Sequence, residues 1–398
     1  MKYLFLFFIC FSSVFLESAI PEAIYLTWKR DPTTTMTFQW ITKSSDTNNT
    51  VEIYSEATDS WMKVEGSAKP LPQNEPYLVH AAEATKLKPK TTYRFRLKTN
   101  PGEELFFRTM PADLTDSITF VAGGDTNQMG TSAFEATCCE SAAHEPYFAL
   151  FGGDLAYAAP NKKDEPENAA RWISWLASYS KTMITPTGHL IPLLVTIGNH
   201  DVKGHYAGTP ADAPFYFTLF SSMPGLPGYN VLRFGNYLSI YLLDTNHCNS
   251  IKGEQTDWLR AQLAKERDTL HKIAIYHVPA YPSVRDFKGN ESAAVRRYWS
   301  PLFEKYRLHV ALENNDHAYK RTWPLINDQA HPRGVLYIGD GSWGTKPRTP
   351  KKAKHTSYLA KTAGVRQFLK IDLSAEMREF TSLTPEGSMV DHYIQFTQ

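Results

Sequence analysis

The sequence predicts a two-domain protein in which an all-β sandwich precedes a layered α/β domain. Its 398 residues exceed what a single hydrophobic core usually organises. Between residues 21 and 109, short alternating apolar segments follow one another without helical periodicity, whereas dense apolar runs alternate with amphipathic stretches from residue 117 onward. The content of 42% hydrophobic and 21% charged residues is that of an ordinary globular protein. We therefore assign residues 20–111 to the first domain and residues 112–398 to the second.

The first 19 residues have the pattern of a secretory signal peptide. Lys2 is followed by an apolar run over residues 3–11 and then by small residues up to Ala19. The run is short for a bilayer span, and no later segment reaches about 18 apolar residues. The sequence thus predicts a secreted or otherwise extracytoplasmic protein (periplasmic, extracellular or lumenal) without a stable membrane anchor. A buried first strand or an uncleaved anchor is the alternative.

Six segments of the first domain have the character of strands. They are residues 23–28, 35–41, 51–55, 77–81, 92–98 and 105–109. Turn sequences such as Asp31-Pro32 and Pro101-Gly102 separate them. Closely spaced strands of this kind indicate a two-sheet sandwich of the immunoglobulin or fibronectin type. Tyr93 stands where such sandwiches place a tyrosine whose hydroxyl binds the backbone a few residues upstream.

Six dense apolar runs in the second domain predict strands that are covered on both faces. They occupy residues 118–122, 147–151, 193–197, 238–243, 273–276 and 310–312. Amphipathic stretches predict helices over residues 165–181, 253–267 and 292–306, and the tail predicts closing strands at 368–381 and 390–396. Strands that alternate with helices indicate layered β-sheets flanked by helices.

Side chains suited to metal binding follow five of these strands. The five sequences are Gly124-Asp125, Gly153-Asp154-Leu155-Ala156-Tyr157, Gly198-Asn199-His200-Asp201, His277-Val278-Pro279 and Asn314-Asn315-Asp316-His317. Ligands collect beyond the carboxyl ends of the strands in α/β sheets. Carboxylate, amide, imidazole and phenolate groups are suitable donors to iron, zinc or manganese. Chance is a poor explanation for five such sequences, each directly after a strand. The sequence therefore predicts a metal site.

This set of motifs resembles that of the purple acid phosphatase family within the calcineurin-like metallophosphoesterases, including the family's N-terminal fibronectin-like domain. The resemblance covers nearly the whole chain after the predicted signal peptide. It implies a secreted acid phosphatase with two metal ions, ferric iron at the first position and zinc, iron(II) or manganese at the second. The ligands it implies are Asp125, Tyr157 and His317 for the first ion, Asp154 as a bridge, and Asn199 and His277 for the second ion.

One position departs from the family pattern. The family's last motif is Gly-His-x-His, and the first of these histidines, a ligand of the second ion, is Asn315 in this chain. An amide oxygen is a poorer donor than imidazole toward zinc or iron(II). A weakened second site, a preference for a harder ion and loss of the second ion are the three possible outcomes. We expect a retained but weaker site with Asn315 among its ligands, because the other predicted ligands of that ion are present.

The resemblance also indicates which residues take part in catalysis. It places His200 near the leaving-group oxygen, and Asp201 beside it is a second catalytic candidate. Family histidines that face the substrate have no counterpart between Tyr281 and Tyr306, where Arg285 could instead grip a phosphate with two hydrogen bonds. The implied reaction is in-line displacement at the phosphorus of a monoester by a hydroxide that the metal ions generate.

Two other functions are compatible with the same residues. A phosphodiesterase or nucleotide pyrophosphatase would use the same ions in a pocket that admits a second substituent, and a metal-impaired, non-catalytic homologue would account for Asn315. The expected partner of the enzyme is a small phosphate ester. The formal net charge of +1 gives no reason to expect a nucleic acid, and the sequence does not indicate an oligomeric state. Cys248 could pair with Cys138 or Cys139, or all three thiols could be free.

Overall fold

The computed structural model describes residues 20–56, 58–222 and 225–397. The predicted signal peptide, residues 1–19, lies outside the described residues. Among the residues that are described, no helix is both long enough and apolar enough to cross a bilayer. Cys138, Cys139 and Cys248 are free thiols, so no disulfide joins these three cysteines.

The first domain is a sandwich of two four-stranded antiparallel sheets, as predicted. Its strands are β1 (Ala23–Thr27), β2 (Met36–Lys43), β3 (Thr50–Ser55), β4 (Ser60–Glu65), β5 (Ser67–Pro70), β6 (Tyr77–Ala84), β7 (Thr92–Leu97) and β8 (Asn100–Arg108). One sheet has the order β1-β2-β6-β5, and the other has the order β4-β3-β7-β8. The hydroxyl of Tyr93 accepts a hydrogen bond from the backbone N–H of Lys88 at 2.8 Å, which is the predicted tie to the upstream backbone.

The second domain is built from two larger sheets and six α-helices within the described residues. Its strands are β9 (Ile118–Gly123), β10 (Ala149–Gly152), β11 (Leu193–Thr196), β12 (Asn230–Phe234), β13 (Leu238–Leu242), β14 (His271–Ile275), β15 (Val310–Glu313), β16 (Tyr319–Thr322), β17 (Leu325–Ile326), β18 (Gln329–Ala330), β19 (Leu336–Gly339), β20 (Leu359–Ala363), β21 (Phe368–Leu373), β22 (Met377–Leu383) and β23 (Met389–Phe396). Its helices are α1 (Thr131–Ala142), α2 (Ala169–Thr182), α3 (Pro214–Leu219), α4 (Glu254–Lys265), α5 (Asn290–Tyr298) and α6 (Ser300–Lys305). The predicted domain boundary at residue 111 lies in the connection between β8 and β9.

The parallel strands of both sheets determine where the site lies. The six-stranded sheet has the order β11-β10-β9-β21-β22-β23, and the seven-stranded sheet has the order β12-β13-β14-β15-β19-β16-β20. Strands β9, β10 and β11 are parallel to one another, and so are β13, β14, β15 and β19. Strand β10 of the first sheet contacts β14 of the second. Loops that follow these parallel strands therefore meet at one edge of the two-sheet core.

The helix predictions were right in kind but wrong in several boundaries. The helix predicted over 292–306 is two helices, because Pro301 lacks a backbone N–H and a new helix starts around it. Helix α2 begins at Ala169 rather than at 165, since the side chain of Asn168 caps it by accepting from the N–H of Arg171 at 3.2 Å. Helix α1 was not predicted, because its sequence is rich in small and polar residues and lacks a marked apolar stripe.

The two domains share one continuous hydrophobic core. The Trp28 ring lies edge-on to Phe148 and Phe234 of the second domain, with ring centroids 5.9 and 5.8 Å apart. The hydroxyl of Tyr25 donates to the carbonyl of Leu219 at 2.7 Å, although the two residues are 194 positions apart in the chain. The sandwich therefore packs against the second domain through buried aromatic and hydrogen-bonded contacts.

Candidate metal centre

All the predicted ligands lie in loops that directly follow parallel strands. Asp125 follows β9, Asp154 and Tyr157 follow β10, Asn199 follows β11, His277 follows β14, and Asn315 and His317 follow β15. Except for Tyr157, which is partly exposed, they are buried. Six of the residues form a compact cage, whose two halves are described in turn, and the seventh, Asn315, is turned to another partner.

The first half of the cage is formed by Asp125, Tyr157 and His317. The Nε2 atom of His317 lies 2.9 Å from Oδ1 of Asp125. The Tyr157 hydroxyl lies 3.3 Å from the same carboxylate oxygen and 3.4 Å from the His317 Nε2 atom. A carboxylate, a phenol and an imidazole that converge on one point are a donor set that suits a hard, highly charged cation such as ferric iron.

The second half of the cage is formed by Asn199 and His277, with Asp154 between the halves. The Nε2 atom of His277 lies 3.0 Å from Oδ1 of Asn199 and 3.4 Å from Oδ1 of Asp154. The Nδ1 atom of His277 lies 2.8 Å from the carbonyl oxygen of Gly152, to which it can donate. Such a bond fixes the tautomer and leaves Nε2 free to bind a cation. Ligand atoms of Asp125, Asp154 and His277 all lie within 4.8 Å of one another.

Asp154 and His277 shift each other's pKa values in opposite directions. Burial opposes ionisation of the Asp154 carboxyl, but the charge and hydrogen bonding of His277 outweigh burial and lower the pKa of Asp154. Burial likewise opposes protonation of His277, and the carboxylates of Asp154 and Asp125 raise its pKa to about 9. Burial, followed by the nearby carboxylates, raises the pKa of the Tyr157 phenol. The concentration of negative charge that raises these pKa values is also what attracts a metal cation.

The backbone of the cage is held in a costly conformation. Five of the predicted ligands have φ angles between +53° and +76°: Asp125, Asp154, Tyr157, Asn315 and His317. This left-handed region costs a non-glycine residue roughly 1–2 kcal/mol, and such outliers cluster at functional sites. The backbone angles thus support a functional role for the same residues that the motifs indicate.

Two glycines allow the ligand loops to approach each other closely. A Cβ atom on Gly198 would lie 2.2 Å from the backbone nitrogen of Asp154, and one on Gly341 would lie 1.8 Å from Oδ2 of Asp125. Any other residue at these positions would push one ligand loop away from the next. Gly198 belongs to one of the predicted motifs, whereas the role of Gly341, which follows β19, was not predicted from the sequence.

Asp201 binds backbone atoms. Its buried carboxylate accepts from the N–H of Leu155 and from the N–H of Gly198, both at 2.9 Å. Burial, and then the charge of Asp154, raises the pKa of Asp201. These contacts tie the loop that carries Asp154 and Tyr157 to the loop that carries Asn199. We therefore propose that Asp201 positions ligands, in place of the direct catalytic role considered from the sequence.

His200 lies at the edge of the cage. Its backbone N–H donates to Oδ1 of Asp154 at 2.7 Å, and its ring stacks on Tyr157 with ring centroids 4.6 Å apart. Burial lowers the pKa of the His200 imidazole, and the charge of Asp154 partly offsets this effect. The His205 ring packs against His200 with centroids 5.0 Å apart, and its Nδ1 lies 3.2 Å from Nδ2 of Asn199.

Asn315 occupies a different place from the other predicted ligands. Its backbone N–H donates to Oδ2 of Asp125 at 2.8 Å, so the residue adjoins the first half of the cage. Its side-chain oxygen, however, accepts from Nη2 of Arg285 at 2.7 Å. The structure therefore brings Asn315 and Arg285 together, two residues that the sequence analysis considered separately.

A sixth loop, which was not predicted from the sequence, supports the cage. Asp244 and His247 follow β13, and the buried carboxylate of Asp244 accepts from the N–H groups of His247, Cys248 and Asn249 at 2.7, 2.9 and 2.8 Å. The ring of His247 packs edge-on to His277 at 5.4 Å. The signal was an acidic residue directly after an apolar strand, the same pattern that identified Asp125 and Asp154.

Comparison with known proteins agrees with this architecture. A family model described as the N-terminal domain of purple acid phosphatase matches residues 21–109, and a model described as calcineurin-like phosphoesterase matches residues 119–312. Purple acid phosphatase 22 of Arabidopsis thaliana is 26% identical over 274 residues, which cover 67% of this chain and 59% of the relative. Purple acid phosphatase 23 of the same plant is 24% identical over 297 residues, covering 66% of this chain and 62% of the relative.

Solved structures show the same fold. The purple acid phosphatase PPD1 from yellow lupin seeds has a TM-score of 0.76 at 16% identity, covering 94% of this chain and 74% of that protein. The structure of PhoD has a TM-score of 0.70 at 13% identity, covering 96% of this chain and 90% of that protein. This chain spans about 60% of the length of the first curated relatives it matches.

Proposed function

Because the chain belongs to the purple acid phosphatase family of calcineurin-like metallophosphoesterases, we propose that it is a metal-dependent acid phosphatase that hydrolyses phosphate monoesters outside the cytoplasm. The observation that carries this proposal is the convergence of six donor residues from five loops: Asp125, Asp154, Tyr157, Asn199, His277 and His317. A metal-impaired, non-catalytic homologue would have no physical reason to hold all six donors in one cage. Secretion rests on the predicted signal peptide and on the relatives' family.

The cage fits two cations in two different ways. Asp125, Tyr157 and His317 would hold the first ion, ferric iron in this proposal, because carboxylate and phenolate oxygens favour a hard cation. Asn199 and His277 would hold the second ion, zinc, iron(II) or manganese, and Asp154 lies within reach of both. When bound, the ions would neutralise phosphate oxygens and lower the pKa of water.

The chain's own residues orient the substrate and move a proton. The His200 imidazole lies at the edge of the cage and would donate a proton to the leaving alcohol. Because burial lowers the pKa of His200, this proton is present mainly at acid pH. The Arg285 guanidinium, 43% exposed, presents N–H groups to a phosphate that approaches the cage. Asp201 keeps the Asp154 and Asn199 loops in register.

Replacement of the shared carboxylate tests the proposal. We expect Asp154→Asn to reduce turnover of p-nitrophenyl phosphate at least about 1,000-fold and to lower the metal content, since removing this charge weakens both positions. Asp257→Asn, an exposed position on α4, is the matched control and should change neither value. Undiminished turnover in Asp154→Asn would refute the metal assignment. Turnover of bis-(p-nitrophenyl) phosphate above that of the monoester would instead indicate a phosphodiesterase.

A further inference from the structure

The contact between Arg285 and Asn315 fixes which way the Asn315 amide faces. Nη2 of Arg285 donates to Oδ1 of Asn315 at 2.7 Å and to the carbonyl oxygen of Asn315 at 3.2 Å. A guanidinium has donors only, so it can bind the amide oxygen but not the amide nitrogen. Rotation of the amide by 180° would place its N–H groups against those of Arg285. The orientation of Asn315 is therefore set by chemistry as well as by packing.

Hydrogen bonds fix the backbone of the loop that carries Arg285. Oδ2 of Asp316 accepts from the N–H of Val284 at 2.6 Å, and Oδ1 of Asp316 accepts from the N–H of Arg285 at 3.2 Å. Lys351 donates to the carbonyl oxygen of Arg285, and the hydroxyl of Tyr358 donates to that of Pro282 at 2.8 Å. The backbone of this loop is thus anchored on both sides, while the guanidinium keeps an exposed face toward solvent.

The remaining polar atom of Asn315 is a donor in a place where the family has a metal ligand. Nδ2 of Asn315 is buried and makes no hydrogen bond of ordinary geometry with any described residue, although the Asn315 side chain is close enough to the Tyr206 hydroxyl to act on the pKa of that phenol. A buried N–H group without an acceptor is unfavourable, and an N–H group cannot bind a cation. The amide oxygen cannot easily bind one either, because the guanidinium already on it would repel a second positive charge. An acceptor oxygen would satisfy Nδ2, and a phosphate oxygen is a stronger acceptor than the neutral hydroxyl of Tyr206.

We propose that Arg285 and Asn315 together bind an oxygen of the substrate's phosphate, and that Asn315 is not a ligand of the second metal ion. The guanidinium turns the amide so that Nδ2 donates, and Arg285 supplies further donors beside it. The backbone N–H of Asn315 on Asp125 keeps this pair next to the cage. We call these two residues the pair. At the position where the family has a metal-binding imidazole, this chain has instead an amide that, with Arg285, binds an anion. This inference rests on the proposed phosphatase function.

Titration with inorganic phosphate, together with metal analysis, tests the inference without measuring catalysis. In Asn315→Asp the donor is replaced by a carboxylate of the same shape, which repels phosphate but would be a better cation ligand than the amide. We expect the phosphate dissociation constant of the metal-loaded protein to rise about 10–100-fold, with no fall in metal content. An unchanged phosphate affinity accompanied by a higher metal content would show that Asn315 faces a cation, and the inference would be overturned.

A second variant covers the case in which Asn315→Asp fails to fold. Arg285→Ala removes a half-exposed side chain and frees the Asn315 amide to rotate. We expect phosphate affinity to fall by a similar factor while the second ion is retained or bound more tightly. Loss of the second ion would contradict the inference. Lys288→Gln, an exposed cation on the same loop, should leave the phosphate affinity within about twofold if the effect is specific to the pair.

The two proposals can fail separately. Phosphate binding that depends on the pair, in a protein that turns over no phosphate ester, would refute the proposed function and leave this inference standing. Turnover that is abolished in Asp154→Asn, with phosphate affinity untouched in both pair variants, would refute this inference and leave the proposed function standing.

Discussion

The two halves of the cage differ in how many of the predicted ligands face the metal position. In the first half, His317 and Tyr157 both lie within 3.3 Å of one oxygen of Asp125, and among the described residues no other side chain forms a hydrogen bond with these atoms. In the second half, Asn199 and His277 meet at 3.0 Å, but the amide oxygen of Asn315 is bound by Arg285. Asn315 and His317 share one strained loop, with φ angles of +76° and +58°. One loop thus carries a donor of the first half, His317, beside Asn315, which in our proposal binds an anion instead of a cation.

The largest loss of turnover is expected when a ligand of the first half of the cage is replaced. We expect His317→Asn to reduce turnover of p-nitrophenyl phosphate about 1,000-fold, roughly 4 kcal/mol of transition-state stabilisation, because the imidazole contacts both other donors of that half. Metal analysis should show that the first ion is lost. His355→Asn, at an exposed position, is the control. A fully active His317→Asn protein would mean that the first half holds no ion.

A smaller effect is expected from the second half. We predict that Asn199→Ala lowers turnover about 10–100-fold and reduces the content of the second ion only, because Asp154 and His277 still face that position. The first ion serves as the internal control, since its content and its visible absorption should be unchanged. Equal loss of both ions would show that the two halves bind metal as one unit and that the distinction between them is wrong.

The smallest effect on turnover is expected at the phenol of the first half. In Tyr157→Phe, Asp125, Asp154 and His317 all remain, so we expect turnover to fall less than about tenfold. If the first ion is ferric iron, as proposed, the visible absorption that a phenolate–iron bond would give should be absent from this variant. If the same absorption band persists, it arises from another ligand, and Tyr157 does not bind the first ion.

The sequence allowed the fold and most of the cage to be predicted because each ligand directly follows an apolar strand. Asp125, Asp154, Asn199 and His277 could each be found in this way, since the carboxyl ends of parallel strands must meet at one edge. The family pattern added the distinction between first and second ions. The split of the helix at Pro301 followed from a rule that could have been applied to the sequence.

Contacts between loops could not be predicted. Arg285 and Asn315 are 30 positions apart, and nothing in either loop's own sequence indicates that the two side chains are hydrogen-bonded. The support that Asp201 gives to Leu155 depends in the same way on how two separate loops pack. Such contacts are decided by tertiary geometry, which local patterns of hydrophobicity and turn residues do not contain.

The shared core of the two domains has a consequence for how the molecule comes apart. Trp28 and Tyr25 of the sandwich contact Phe148, Phe234 and Leu219 of the second domain. Removal of the sandwich would therefore expose a large apolar surface of the second domain to water. Heating should accordingly produce a single melting transition, because unfolding of either domain would expose the apolar surface that the two domains bury between them. A protein truncated to the second domain should aggregate. The sandwich is therefore a structural part of the enzyme and not a separable module.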